Sequence, residues 1–317
     1  MTAPGASTME TSALASSAPP SARRGRFVDG TVRASLVASG VFVLAATILM
    51  IVFIARAGLR GIEAVGLLPL VAGTTWKPEA DSFGGVPLVF GTIVTATGGV
   101  LVGAIPAVFA ALWVTEFAGK FTKSGYRRVM EVAAAVPSVV YGWLALVHLV
   151  PGMDVLAHSL HGASGDVGGE GIAASGLLLG IMVAPTVLLL SLDALSRVPG
   201  SLRDASAALG ATALQTAFRV SLPYAWRGLL VAVFFGFARA AGETMAVQMV
   251  IGGARRLPEN LFSPTTTIST QIVMDMQNAR PDTPASNALF SMSLILLVIS
   301  VAVVLVTRAL SRSGSAS

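Results

Sequence analysis

Apolar residues run through this chain in blocks far longer than the short bursts of an amphipathic surface helix. Charge-free stretches cover Ala34–Ala55, Ser82–Thr115, Val132–Met153, Gly171–Leu192 and Thr283–Thr307. A helix needs about 20 apolar residues to cross a bilayer. Each block is long enough, and Ser82–Thr115 leaves room for a loop as well. A sixth block, Gly228–Ala254, is apolar apart from Arg239 and Glu243. The pattern predicts an all-α polytopic membrane protein with six transmembrane helices and both termini on one side.

Composition agrees. Of 317 residues, 54% are hydrophobic and 12% charged, with a mean hydropathy of +0.78; soluble domains average about 25% charged residues. A net charge of +5 could suggest a nucleic-acid partner, but its placement argues otherwise. With the N-terminus inside, the cytoplasmic segments hold Arg23, Arg24, Arg26, Arg33, Lys120, Lys123, Arg127, Arg128, Arg197, Arg203, Arg219, Arg227, Arg308 and Arg312, which is 14 of the 21 basic residues. Arg56, Arg60, Lys77, Arg255, Arg256 and Arg280 fall outside, and only Arg239 lies within an expected span. Cytoplasmic loops of membrane proteins carry such an excess, so topology accounts for the basicity.

Several chemistries are excluded. The chain has no cysteine, hence no disulfide, thiolate nucleophile or Cys-based zinc site. Gly119-Lys120 precedes Phe121, and Lys123-Ser124 follows Thr122, so no Walker A sequence exists. The expectation is a transport subunit without its own ATPase site, without catalytic residues and without a cofactor. His148, His158 and His161 cluster near the third span with too few convergent ligands for a metal.

Residues 1–30 are rich in Ala, Ser, Thr, Pro and Gly and predict a disordered cytoplasmic tail. They lack a cleavage site behind the first span, so that span is expected to act as an uncleaved anchor. Residues 31–312 form the permease domain and residues 313–317 a short cytoplasmic tail. Residues 57–85 predict an external loop with a short helix. Gly99/Gly103 and Gly176/Gly180 are small-xxx-small pairs that allow close helix approach. Pro137 is expected to kink the third span.

Residues 196–223, "SRVPGSLRDASAALGATALQTAFRVSLP", are too polar to span. Ser201 and Asp204 have capping-box spacing, and Leu202, Ala205, Ala208 and Leu209 share a helical face. Gly210 bends or breaks this helix, Ala213–Val220 begins another, and Pro223 ends it. Such a helix suits docking on a partner, on its own bundle or on the membrane surface. Arg239 and Glu243, four apart, predict a pair on one helical face. Each charge costs about 2.5–3.5 kcal/mol at mid-bilayer, so such residues face the bundle interior or water. Fixing helix packing and lining a pathway both remain open roles.

Two motifs then coincide. Asp204, Ala205, Ser206, Gly210, Val220, Leu222 and Pro223 resemble the EAA loop of ABC importer permeases at every offset, with Asp for Glu and Ser for the second Ala. "PSVVYGW" (Pro137–Trp143), "ARAAGETMAV" (Ala238–Val247) and "LFSPTTTISTQIV" resemble the C-type subunit of phosphate permeases. The resemblance covers roughly residues 34–310. It implies a type I, MetI-like importer transmembrane domain in the bacterial cytoplasmic (inner) membrane. It implies an A-type permease subunit as partner, two copies of a cytoplasmic ATP-binding subunit on the EAA loops, and a phosphate-binding protein outside. With an anion as the implied substrate, Arg239 is expected to attract phosphate in transit, with Glu243 tuning or gating that contact and Thr244 adding a hydroxyl donor. A permease for molybdate or sulfate is the nearer alternative. A secondary anion transporter using Arg239 and Glu243 is the more distant one.

Overall fold

The computed structural model describes residues 20–161 and 168–312, and its contacts divide between Ile54 and Ala55. Six helical segments are long and apolar enough to span a bilayer: Val32–Val65, Val86–Glu116, Ser138–Leu160, Ile172–Ser196, Ala213–Ala241 and Pro284–Ala309. Helices suit this role because every backbone N–H and C=O is satisfied within the segment. The first span lies in α1 (Pro20–Val65), whose side chains are exposed from Val32 to Phe53. Helix α1 starts inside the segment expected to be a disordered tail. Residues 1–19 and 313–317 lie outside the described residues.

After α1 come a short helix α2 (Leu67–Ala72) and a small antiparallel hairpin, β1 (Trp76–Lys77) with β2 (Ser82–Phe83). Helix α3 (Val86–Glu116) is the second span. Helix α4 (Lys120–Ala135) precedes the third span and ends at Val136, which is extended with ψ 130°. A residue before proline is steered away from helical geometry. Pro137 therefore does not kink the third span; it separates α4 from α5 (Ser138–Leu144), where that span begins.

A π turn over Ala145–Leu149 leads into α6 (Val150–His161), with Pro151 near its start. The fourth span is α7 (Ile172–Ser196), followed by α8 (Gly200–Ala208) and α9 (Ala213–Thr216). A second π turn, Ala217–Ser221, joins α9 to α10 (Leu222–Ala241). Pro223 thus does not terminate the run, and the fifth span continues through it. Both π turns end shortly before a proline. A proline ring clashes with the carbonyl four residues back, and the wider π turn makes room without ending the helix. The chain closes with α11 (Met245–Gln248), α12 (Ile268–Met276) and the sixth span in α13 (Pro284–Arg312).

The main core lies between α3, α7 and α10. Leu179, Val183, Val187 and Leu192 of α7 pack against alanines of α3 and against Leu229 and Ala232 of α10. The small pairs face one another: a Cβ on Gly103 would overlap the Gly180 backbone, and one on Gly99 would lie 2.6 Å from Leu179 Cβ. A second core joins the hairpin to α12 and α13 through Leu70, Trp76, Phe83, Leu88, Ile268 and Met292.

Candidate translocation and coupling sites

Helix α10 ends at Ala241, short of the apolar block expected to contain it. Arg239 is exposed in its last turn, where the helix dipole favours a cation. Its Nη1 donates to Thr186 Oγ1 of α7 at 3.2 Å. Glu243 lies past the end of the helix, so the two residues do not share a helical face, and no ion pair between them is found. The Glu243 carboxylate instead accepts a long hydrogen bond from Ala246 N–H at 3.5 Å, at the start of α11. Thr244 Oγ1 donates to the Gly242 carbonyl at 3.3 Å.

Two segments singled out in the sequence meet here. Gly142 of "PSVVYGW" lies against α11; a Cβ on it would come 2.8 Å from Ala246 Cα. Tyr141 Oη donates to the Ala133 carbonyl, bridging the Pro137 break at 2.9 Å. "SPTTTIST" folds back onto the same place. Ser269 Oγ donates to the Glu243 carbonyl at 3.0 Å, and Ile268 N–H donates to Thr92 Oγ1 of α3 at 2.9 Å. The Thr267–Thr270 capping box starts α12, and Thr265, Thr266 and Thr270 are fully buried. The result is a broken helix end carrying a cation, with an exposed turn at Gly242 backed on one side by the buried threonines of the α12 start. Irregular backbone persists at membrane depth where it is buried in protein or lines a water-filled cavity. Thr186 carries no sequence signal beyond a hydroxyl after Pro185 in an apolar run.

The polar loop forms a helix–turn–helix. Helix α8 starts at Gly200 behind Pro199, two residues earlier than the Ser201–Asp204 spacing predicts. No side chain caps it, and Asp204 falls beyond its first turn. The capping box forms instead at Thr212–Gln215, opening α9. Gly210 takes φ +81° with open space around it, as the reversal between α8 and α9 requires. Ser206, the departure from the second Ala, shares a hydrogen bond with Thr216 Oγ1 at 2.9 Å and so ties α8 to α9. Asp204 and Ala205 are exposed. Leu222 and Pro223 line an apolar groove of about 500 Å³ with Ile105, Phe109, Trp226 and Val233. No group of three His, Cys, Asp or Glu side chains comes together among the described residues.

Residues 99–313 match the family described as the binding-protein-dependent transport system inner membrane component. Over 297 residues the chain is 35% identical to the probable ABC transporter permease protein YqgH of Bacillus subtilis, covering 92% of this chain and 94% of that one. It is 32% identical over 251 residues to the phosphate transport system permease protein PstC of Pasteurella multocida, covering 74% and 77% of the two. It is 34% identical over 256 residues to PstC 1 of Mycobacterium tuberculosis, covering 75% of each. Among solved structures, a chain of the inward-facing MetNI methionine ABC transporter aligns at TM-score 0.49 and 22% identity, covering 71% of this chain and 93% of that one. The chain therefore belongs to the family of inner-membrane components of binding-protein-dependent transport systems, as a multi-pass ABC importer permease.

Proposed function

We propose that this chain is the C-type permease subunit of an ATP-driven importer of inorganic phosphate. It forms the pathway with an A-type permease, with two ATP-binding subunits on the Asp204–Pro223 loops and a phosphate-binding protein outside. The phosphate assignment rests on the likeness to the PstC relatives over about three quarters of the chain. One structural observation supports the site: Arg239 is exposed at a broken helix end, and the ordinary partner for its charge, Glu243, is turned away to α11. A guanidinium fork matches the paired oxygens of phosphate, and an Arg not held by a carboxylate leaves that fork open. Glu243 holds the turn that presents Arg239, and Thr244 stands beside it. Membership of an ABC permease family disfavours the secondary-transporter alternative.

The test is ATP-dependent uptake of labelled phosphate by the reconstituted complex, with sulfate and molybdate as competitors. Arg239→Gln should cut uptake by at least about tenfold, the size of a lost charge-assisted contact of about 1.5–3 kcal/mol. Equal uptake in Arg239→Gln and wild type would overturn the site. Competition by sulfate or molybdate equal to that by phosphate would overturn the substrate.

The proposal also places both termini and the coupling loop in the cytoplasm. Because the chain lacks cysteine, single Ala80→Cys and Ala207→Cys variants test this in intact cells. A membrane-impermeant maleimide should label the first and spare the second; the reverse would invert the topology.

A further inference from the structure

The side chain that joins the coupling helix to the spans is Arg203. It points inward from α8 while its neighbours Asp204 and Ala205 stay exposed. Its guanidinium reaches acceptors on two other segments. Nε and Nη2 contact Glu116 Oε1 at 3.1 and 3.0 Å. Nη1 donates to the Val198 carbonyl and Nη2 to the Leu195 carbonyl, both at 3.1 Å.

These acceptors share a property. Glu116 is the last residue of α3, and Leu195 lies in the last turn of α7. The end of a helix concentrates under-satisfied carbonyls and repels a carboxylate; the Leu195 carbonyl has a turn bond from Val198 N–H at 3.2 Å and room for a second donor. The Glu116 side chain is only 6% exposed. A buried carboxylate at the end of α3 and two carbonyls at and just past the end of α7 therefore converge on one cation from a third helix. A lysine replaces it only in part, because an ammonium keeps the charge but lacks the planar fork that serves several acceptors at once.

We propose that Arg203 is the positioning residue that couples ATPase movement to the pathway helices. It locks α8 to the ends of α3 and α7, which carry the main core. Displacement of α8 by the ATPase then moves α3, α7 and α10 as one body. The inference rests on the reading of Asp204–Pro223 as the ATPase-docking loop and gives that loop a mechanical link.

The experiment measures phosphate moved per ATP hydrolysed by the complete reconstituted complex. The variants are Arg203→Ala, Arg203→Lys and the isosteric Glu116→Gln. Arg203→Ala should assemble and hydrolyse ATP, yet lose about tenfold in phosphate per ATP, within the range of allosteric couplings. Arg203→Lys and Glu116→Gln should fall between it and wild type. Unchanged phosphate per ATP in assembled Arg203→Ala overturns the proposal. Should Arg203→Ala not assemble, Glu116→Gln decides: an unchanged ratio, or loss of assembly there too, overturns the coupling role. A wild-type complex that hydrolyses ATP without moving phosphate faults the substrate assignment alone. Loss of binding-protein-stimulated hydrolysis in Arg203→Ala then reads the clamp, and full stimulation overturns it.

Discussion

The two ends of the helix bundle are closed in opposite ways. At the hairpin end, Asp275 of α12 gathers three donors: Trp76 Nε1 at 2.9 Å, Gln271 Nε2 at 2.7 Å and Arg255 Nη2 at 2.6 Å. These come from the hairpin, from α12 itself and from the segment after α11, and they sit over a buried apolar cluster. At the coupling end, α8 is held by Arg203 and by the Ser206–Thr216 bridge, while Leu209 is 89% exposed and Leu214 and Phe218 are also bare. One end gathers its donors onto a half-enclosed carboxylate above a packed apolar cluster, although Gln271 Oε1 there has no partner among the described residues and Leu68 and Leu261 stay exposed. The other leaves apolar surface uncovered around a single ionic anchor. Exposed apolar surface can mark an interaction site, but both ends show some; the difference is that three donors from separate segments brace the hairpin end, whereas α8 rests on fewer contacts.

The comparison breaks most severely if the lever between the two ends is pried apart. In Gly103→Val the added carbons collide with the Gly180 backbone, which cannot rotate aside. Overpacking costs about 1–3 kcal/mol and sometimes more, and here it separates α3 from α7. Loss of monodisperse protein in detergent, with a large drop in Tm, is the expected outcome. Asp275→Ala should rank next. It strips an 11%-exposed carboxylate from Arg255, which is 33% exposed, and leaves the Trp76 indole without its acceptor. Discounted for that exposure, the cost is about 2 kcal/mol. Proteolysis should then reach the hairpin segment first. If cutting began instead at the coupling loop, the hairpin end would not be the one braced by Asp275.

Much of this arrangement is written in the sequence, and the misses share a cause. Long apolar blocks gave the number of spans and the approximate place of five of them, because spanning helices depend on composition. They misplaced the fifth, expected over Gly228–Ala254 and found over Ala213–Ala241. Prolines mark two of the misreadings: Pro137 lies just before the third span and Pro223 inside the fifth, where a π turn accommodates the ring instead of ending the helix. The Arg239–Glu243 spacing suggested a helical pair, but Gly242 ends the helix between them. The facing of Gly99/Gly103 against Gly176/Gly180 could not be read either, although each pair alone could. Arg203 gave no signal, because its partners lie 87 residues away at Glu116 and on backbone carbonyls that no side-chain pattern reports.

Gly210→Ala tests the coupling end by itself. Nothing lies within 4 Å of the added Cβ, so the cost comes from φ +81° alone. Placing an L-residue in the left-handed region costs about 1–2 kcal/mol. That strain should lower ATPase binding and phosphate uptake moderately while leaving the Tm of the isolated permease nearly unchanged, because α8 adds little to its core. A Tm loss as large as that of Asp275→Ala would mean the two ends are equally built into the fold.

The smallest effect should come from Arg127→Ala. Arg127 also bridges two helices, donating from α4 to Asp193 of α7 at 2.9 Å and to Glu131 at 3.0 Å. The hydrogen bond to Asp193, and next that to Glu131, raise its pKa above the ordinary arginine value. Yet all three side chains are about half exposed, and exposed pairs contribute at most about 1 kcal/mol. Removing it should shift Tm by a degree or two and leave phosphate per ATP unchanged. Arg203 differs in that its carboxylate partner is buried and its remaining donors meet helix-end carbonyls. A loss of coupling in Arg127→Ala equal to that in Arg203→Ala would show that any basic bridge to α7 suffices, and burial would then not be what distinguishes the clamp.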